Sequence, residues 1–257
     1  MFDLFMNQTK ILNQLGGIWL IMLLVFSRVI AFSSTCPLLG HKSVTAMVRV
    51  GVSILLTLFI MPSLESITEY PNNGEFIYLI VINVFIGLLM GWVANLVMEI
   101  GRAGGEMVDT QMGLNAATVF DPGTQTQTTI IGRFFEYLTL TLFISIGGIE
   151  KLIEGLYKSY NTFPVIVHSI KFDISKIISA TGDVLAMGFI IVSPIIMTIL
   201  VLDLILGIMS RAAPQINAFQ VSYTIKPTVG LLLLLLLLTT FMEILTGLFN
   251  NQNRMFF

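Results

Sequence analysis

The sequence predicts an all-α integral membrane protein of about six long apolar helical segments, some of them kinked or broken. Three observations predict it. Of 257 residues, 55% are hydrophobic and only 11% are charged, whereas a soluble globular domain usually carries about 25% charged residues. The mean hydropathy is +0.90. Apolar runs recur at 11–32, 44–60, 76–98, 130–149, 177–209 and 229–249, and a membrane-spanning helix needs about 20 apolar residues, within a range of about 17–25. Residues 1–257 read as a single membrane domain.

The first run follows Asp3 and Lys10 and covers 11–32. A signal peptide has an apolar core of only about 7–15 residues, so a retained first helix is expected. The second run is marginal in length and contains Arg49. A linker at 61–75 follows, acidic through Glu65, Glu69 and Glu75 and punctuated by Pro62, Pro71, Asn72, Asn73 and Gly74. The fourth run contains Arg133 and Glu136, three apart and able to pair on one helix face. A lysine-bearing linker is expected at 150–176, with Pro164 as a breaker.

The fifth run is too long for one simple span and has Pro194 in its middle. An internal proline kinks or breaks a helix. Two helices or one kinked helix are therefore expected, within an arm at 177–228 that includes the turn Arg211-Ala212-Ala213-Pro214-Gln215. A linker is expected at 210–227. The last run holds the leucines 231–238, read as lipid-facing or packing surface. Positive charge gives a weak bias towards cytoplasmic termini. Lys10, Lys151, Lys158, Lys171, Lys176 and Arg254 fall on one side, against Lys42, Arg102, Arg211 and Lys226.

Ionisable residues lie inside or at the ends of these runs: Arg28, Arg49, Glu99, Arg133, Glu136, Asp203 and Glu243. A charge at the bilayer centre costs at least about 2.5–3.5 kcal/mol. Local pairing, placement at the headgroups, an aqueous path or partner subunits could each account for them. Small residues repeat at helical spacing, Gly87 with Gly91 and Gly101 with Gly105. This lets helices approach closely, within the chain or against a partner.

The net charge of −2 and the lack of a basic run exclude a nucleic-acid binder. The single Cys36 and the distant His41 and His168 argue against a metal site or a cofactor held by these residues. No nucleophile–base motif, phosphate loop or dinucleotide fingerprint is present, so no enzyme is expected. Ser193 before Pro194 and the carboxylates Glu106 and Asp109 are the nearest approach to catalytic groups. A secondary solute or ion transporter with broken helices is the rival reading, with Pro194 and the Gly-rich segment as the breaks.

That segment, 101–129, lies between apolar runs and is rich in Gly, Thr and Gln. A connection of this length in a compact protein is functional or disordered. Irregular backbone at membrane depth must be buried in protein or line a cavity. The reading is a gate loop at 99–129.

Its residues carry a resemblance. Gly105-Glu106, Asp109, Gln111-Met112-Gly113-Leu114, Ala116-Ala117-Thr118 and Phe120-Asp121-Pro122 resemble the signature of the FliR family, export-gate subunits of flagellar and virulence type III secretion systems. A second block agrees, Leu206-Gly207 with Ser210-Arg211 and Pro214-Gln215-Ile216-Asn217-Ala218-Phe219. A weaker one is Arg28, Pro37-Leu38-Leu39 and Arg49-Val50-Gly51.

The resemblance implies a subunit that conducts unfolded flagellar or virulence proteins across the bacterial inner membrane at the basal body. It implies a helical, conical hetero-oligomer standing largely on the periplasmic side. FliP-like and FliQ-like subunits would be partners, with FlhB-like and FlhA-like export proteins beside them. It also implies a channel plug at Gln111, Met112, Gly113, Leu114, Asn115, Ala116, Ala117, Thr118, Val119 and Phe120. Polar contacts to partners or within the subunit fall to Arg28, Arg49, Glu106, Asp109, Arg133, Glu136, Asp203, Arg211 and Gln215.

Overall fold

The computed structural model describes residues 2–41, 44–64, 73–114, 119–121, 126–166 and 174–256. Among these, the chain forms helices α1 (Phe2–Thr35), α2 (Ala46–Ile60), α3 (Asn73–Met112), α4 (Ile130–Ser145), α5 (Gly148–Thr162), α6 (Ile174–Ala212) and α7 (Ala218–Phe256). The exceptions to an all-helical fold are a 3-10 turn at Met61–Ser63 and a short antiparallel ladder of β1 (Val119–Asp121) and β2 (Thr126–Thr128). Among the described residues, five helices are long and apolar enough to cross a membrane, or six if the bent pair α4–α5 is one span.

Three sequence expectations are corrected. The fourth apolar run is not one straight span. α4 stops at Ser145 and α5 departs at 69°. Gly147, at φ +71°, makes the turn, in the left-handed region that glycine enters at little cost. The expected linker from 150 is helical to Thr162, because Leu152, Leu156, Ser159 and Tyr160 recur at helical spacing and bury one face. The expected linker at 210–227 ends early. Asn217 accepts a hydrogen bond from the Gln220 amide at 3.3 Å and starts α7, which places Pro227 inside a helix.

α6 runs unbroken through Pro194. A proline there removes the N–H that the Ile190 carbonyl would accept. The Ser193 hydroxyl donates to that same carbonyl at 2.8 Å. The orphaned acceptor is satisfied without unwinding, so one of the breaks that the transporter reading needed is absent.

The chain divides into two compact units. The first comprises residues up to Asn95 and 152–172. Its core is Ile21, Leu24, Val25, Val29 and Phe32 of α1, packed with Ile60, Leu79, Leu156 and Tyr160. Gly87 and Gly91 are the close approach here. A Cβ on Gly87 would run into the Arg28 backbone oxygen, and one on Gly91 would stand 2.6 Å from the Phe32 oxygen. The small-residue repeat is therefore used inside the chain, to bring α3 against α1.

The second unit holds the rest of α3, the β ladder, α4, α6 and α7. Its buried side chains include Val108, Met112, Phe135, Val192, Ile195, Ile199, Leu234 and Phe241. Phe135 and Phe241 meet edge to face, with ring centroids 4.5 Å apart. Asp203 and Lys226 form an ion pair that ties α6 to α7.

Candidate gate segment

The predicted loop at 99–129 is helical for its first half, because α3 continues to Met112. Its polar residues stand at helical spacing. Arg102 donates to Glu99 at 2.5 Å and lies 3.9 Å from Glu106. Gly101 and Gly105 are contact points rather than bends. A Cβ on Gly105 would stand 2.6 Å from the Gly132 Cα. The composition that suggested a loop is that of a helix with one salt-bridged face and one face pressed against its neighbours.

Gly113 ends the helix at φ +76°, and its amide donates to the Thr110 carbonyl at 3.2 Å. The chain then pairs Val119 with Thr128, Phe120 with Gln127 and Asp121 with Thr126. Asn115, Ala116, Ala117 and Thr118, with residues 122–125, lie outside the described residues. Among the described residues, the segment between the two helix ends holds this short antiparallel ladder.

Both ends are fastened. The fully buried Asp109 accepts through Oδ2 from the amides of Ile131 at 2.8 Å and Gly132 at 3.2 Å. Those amides belong to the first turn of α4, where unpaired N–H groups and the helix dipole favour an anion. Thr129 Oγ1 also accepts from the Gly132 amide, at 3.2 Å. Asp109 Oδ1 is buried and has no hydrogen-bond partner. Met112, also buried, seats its thioether in a notch of α7 that exists because residue 230 is glycine. Gln111 and Leu114 are half-buried and Gly113 is exposed.

The first unit is centred on Arg28, which is fully buried. Its Nε donates to Asn83 Oδ1 at 2.9 Å. Nη1 donates to the carbonyls of Ser159 at 3.3 Å and Phe163 at 2.8 Å and to Ser159 Oγ at 3.4 Å. Nη2 donates to the Pro164 carbonyl at 3.3 Å, and the guanidinium lies 4.3 Å from the Tyr160 ring centroid. No carboxylate is among these contacts. The positive charge is held by the carbonyl end of α5, the counterpart of the carboxylate at the start of α4.

The remaining charged candidates disperse. Arg49 Nε donates to the Leu39 carbonyl at 3.0 Å, joining two stretches of the weaker matched block. Arg133 Nε donates to the Tyr137 hydroxyl at 3.4 Å, and Glu136 is half-buried on the same helix. Arg211 and Gln215 are exposed where α6 ends. Sequence reasoning missed Asn83, Ser159 and Tyr160 as the partners of Arg28, and Lys226 as the partner of Asp203. Asn83 carried a usable signal, as a lone amide within an apolar stretch, and its Nδ2 donates to the carbonyls of Leu79 at 2.8 Å and Val165 at 3.1 Å.

Long apolar helices whose buried charges are spent on helix ends define an all-α integral membrane protein. The family of bacterial export proteins, family 1, matches residues 19–252, and the chain belongs to it. It is 31% identical over 214 residues to the flagellar biosynthetic protein FliR of Pectobacterium carotovorum subsp. carotovorum, covering 83% of this chain and 82% of that one. It is 26% identical over 243 residues to FliR of Bacillus subtilis (strain 168), covering 93% and 94%. The surface presentation of antigens protein SpaR of Shigella flexneri is 27% identical over 217 residues, covering 84% of each chain. The FliR resemblance read from the two motif blocks is the family found.

Proposed function

We propose that this chain is an export-gate subunit that conducts unfolded flagellar or virulence proteins across the bacterial inner membrane at the basal body. In this reading the segment Gln111–Phe120 plugs the channel. The observation that carries it is the segment's setting. A short ladder of Val119–Asp121 with Thr126–Thr128 lies between the membrane-length helix Gly74–Met112 and α4, and Met112 at the end of the one and Ile131 at the start of the other are buried. Such backbone is tolerated at membrane depth only against protein or a water-filled cavity. Deletion of Gly113–Thr118 in a gate assembled in vesicles should raise ion conductance at least several-fold. Unchanged conductance would overturn the plug.

FliP-like and FliQ-like subunits are the proposed partners, with FlhB-like and FlhA-like proteins alongside, in an assembly standing largely on the periplasmic side. The exposed Arg211 and Gln215 at the end of α6 are proposed to contact a neighbour. Co-purification with copy-number mass measurement tests this. Partners retained in full by Arg211→Ala would remove that contact from the account.

A further inference from the structure

We infer that the outward face of α5 lines a water-filled recess at the depth of the bilayer hydrocarbon. That the recess belongs to the conducting passage rests on the proposed export function; the recess itself rests on depth and charge. The residues that carry it all belong to the first unit.

Depth is set by α3. Its apolar run starts at Phe76, directly after Glu75, and the helix from Gly74 is long and apolar enough to cross a membrane. Asn83 stands about 10 Å further along the axis. Arg28 ties α5 to that level. Its Nε donates to Asn83 Oδ1 at 2.9 Å and its Nη1 to the Ser159 carbonyl at 3.3 Å, while Asn83 Nδ2 donates to the Val165 carbonyl at 3.1 Å. Lys158 adjoins Ser159, so it lies inside a hydrocarbon layer about 30 Å thick. Glu154 follows it at about 6 Å along α5.

Charge then decides what meets this face. Glu154, Lys158 and Asn161 recur at helical spacing and are exposed, whereas Leu156, Ser159 and Tyr160 are buried on the opposite side. Lys158 Nζ lies 2.7 Å from Glu154 Oε1, with side chains 49% and 58% exposed. The pair is neutral as a whole and calls for no charged partner. Its carboxylate and ammonium still turn hydrogen-bonding capacity outward, for which lipid tails have no partner and water does. At the same level α3 turns out the apolar Ile77 and Val81. Two helices of one unit thus present opposite surfaces at one depth.

The test uses the assembled complex in vesicles, with single cysteine substitutions at Glu154, Asn161 and Val81 and a charged, membrane-impermeant methanethiosulfonate. Cys36 is buried and does not compete. The reacting thiolate forms only where it is solvated, and each unit by which burial raises a thiol pKa removes about tenfold of it. Glu154→Cys and Asn161→Cys should therefore react at least about tenfold faster than Val81→Cys. If Glu154→Cys fails to assemble, Asn161→Cys keeps the ion pair and carries the test. Rates no faster than that of Val81→Cys would overturn the recess. A bulky reagent on Asn161→Cys should also lower the conductance of a gate lacking Gly113–Thr118. Rapid labelling with unchanged conductance would uphold the recess and overturn its place in the passage. No conductance in that gate would count against the export reading without touching the recess.

Discussion

The two units solve the same problem with opposite charges and different reach. In the first, a buried cation meets the carbonyl end of α5, and each of its three nitrogens donates to at least one acceptor. In the second, a buried anion meets the amide end of α4 through two amides of one turn. The acceptors of Arg28 come from α3, from α5 and from the chain beyond it, whereas Asp109 joins α3 to the first turn of α4. The difference assigns Arg28 to holding a whole unit and Asp109 to holding one helix end.

The strongest way to break this contrast is Arg28→Ala. It leaves the carbonyls of Ser159, Phe163 and Pro164 and the Asn83 side chain without their donor, in a core that includes Val29 and Tyr160. A loss of about 4 kcal/mol or more is expected, at the extreme of single substitutions. It should appear as loss of folded protein in detergent unfolding and in membrane level. Arg28→Lys should recover little, because a point charge cannot span the fork of acceptors. A stable Arg28→Ala protein would remove that role from Arg28.

The intermediate test is Gly105→Leu. A side chain there must displace the backbone of Ile131 and Gly132, the turn that Asp109 clasps. Overpacking of this kind costs about 1–3 kcal/mol. The folded state should survive with a lowered unfolding midpoint, and spin labels at Thr110 and Ile130, both exposed, should move apart. A lowered midpoint with unmoved labels would mean that the α4 turn does not take up the strain.

Much of the fold was legible because apolar run length and membrane thickness constrain each other. The runs at 11–32, 76–98, 177–209 and 229–249 fall on helices, as does that at 44–60 from Ala46 onward. The misses share a cause. Helix and loop were separated by composition, yet a helix pressed against its neighbours needs glycine, and a salt-bridged face needs charge. The first half of 99–129 therefore looked like a loop and is helix. Ser193 before Pro194 looked like an isolated nucleophile and is a hydrogen-bond repair within α6. Of the site, Arg28 was legible as a charge out of place, and Asp109 only as part of the resemblance carried by 105–122. Their partners were not, because they are mostly backbone carbonyls and amides, which every residue carries. Only the folded chain brings Phe163 O to Arg28 and Ile131 N to Asp109.

The smallest expected effect sharpens the contrast most, because it separates burial from charge alone. Arg102 sits on the same helix as Asp109, two turns earlier, paired with Glu99 and Glu106. Its side chain is 37% exposed and those of the two glutamates are 47% and 44% exposed. Pairs of this kind contribute about 0.3–0.5 kcal/mol in a helix. Arg102→Ala should therefore shift unfolding by no more than about 0.5 kcal/mol, and it should leave the Thr110–Ile130 separation unchanged. It nonetheless makes the end of α3 more negative by a full charge. If the separation grows, the field at the end of α3 holds the α4 turn, and the two amide bonds to Asp109 do not. If it stays, the contact belongs to the buried carboxylate and to the turn it grips.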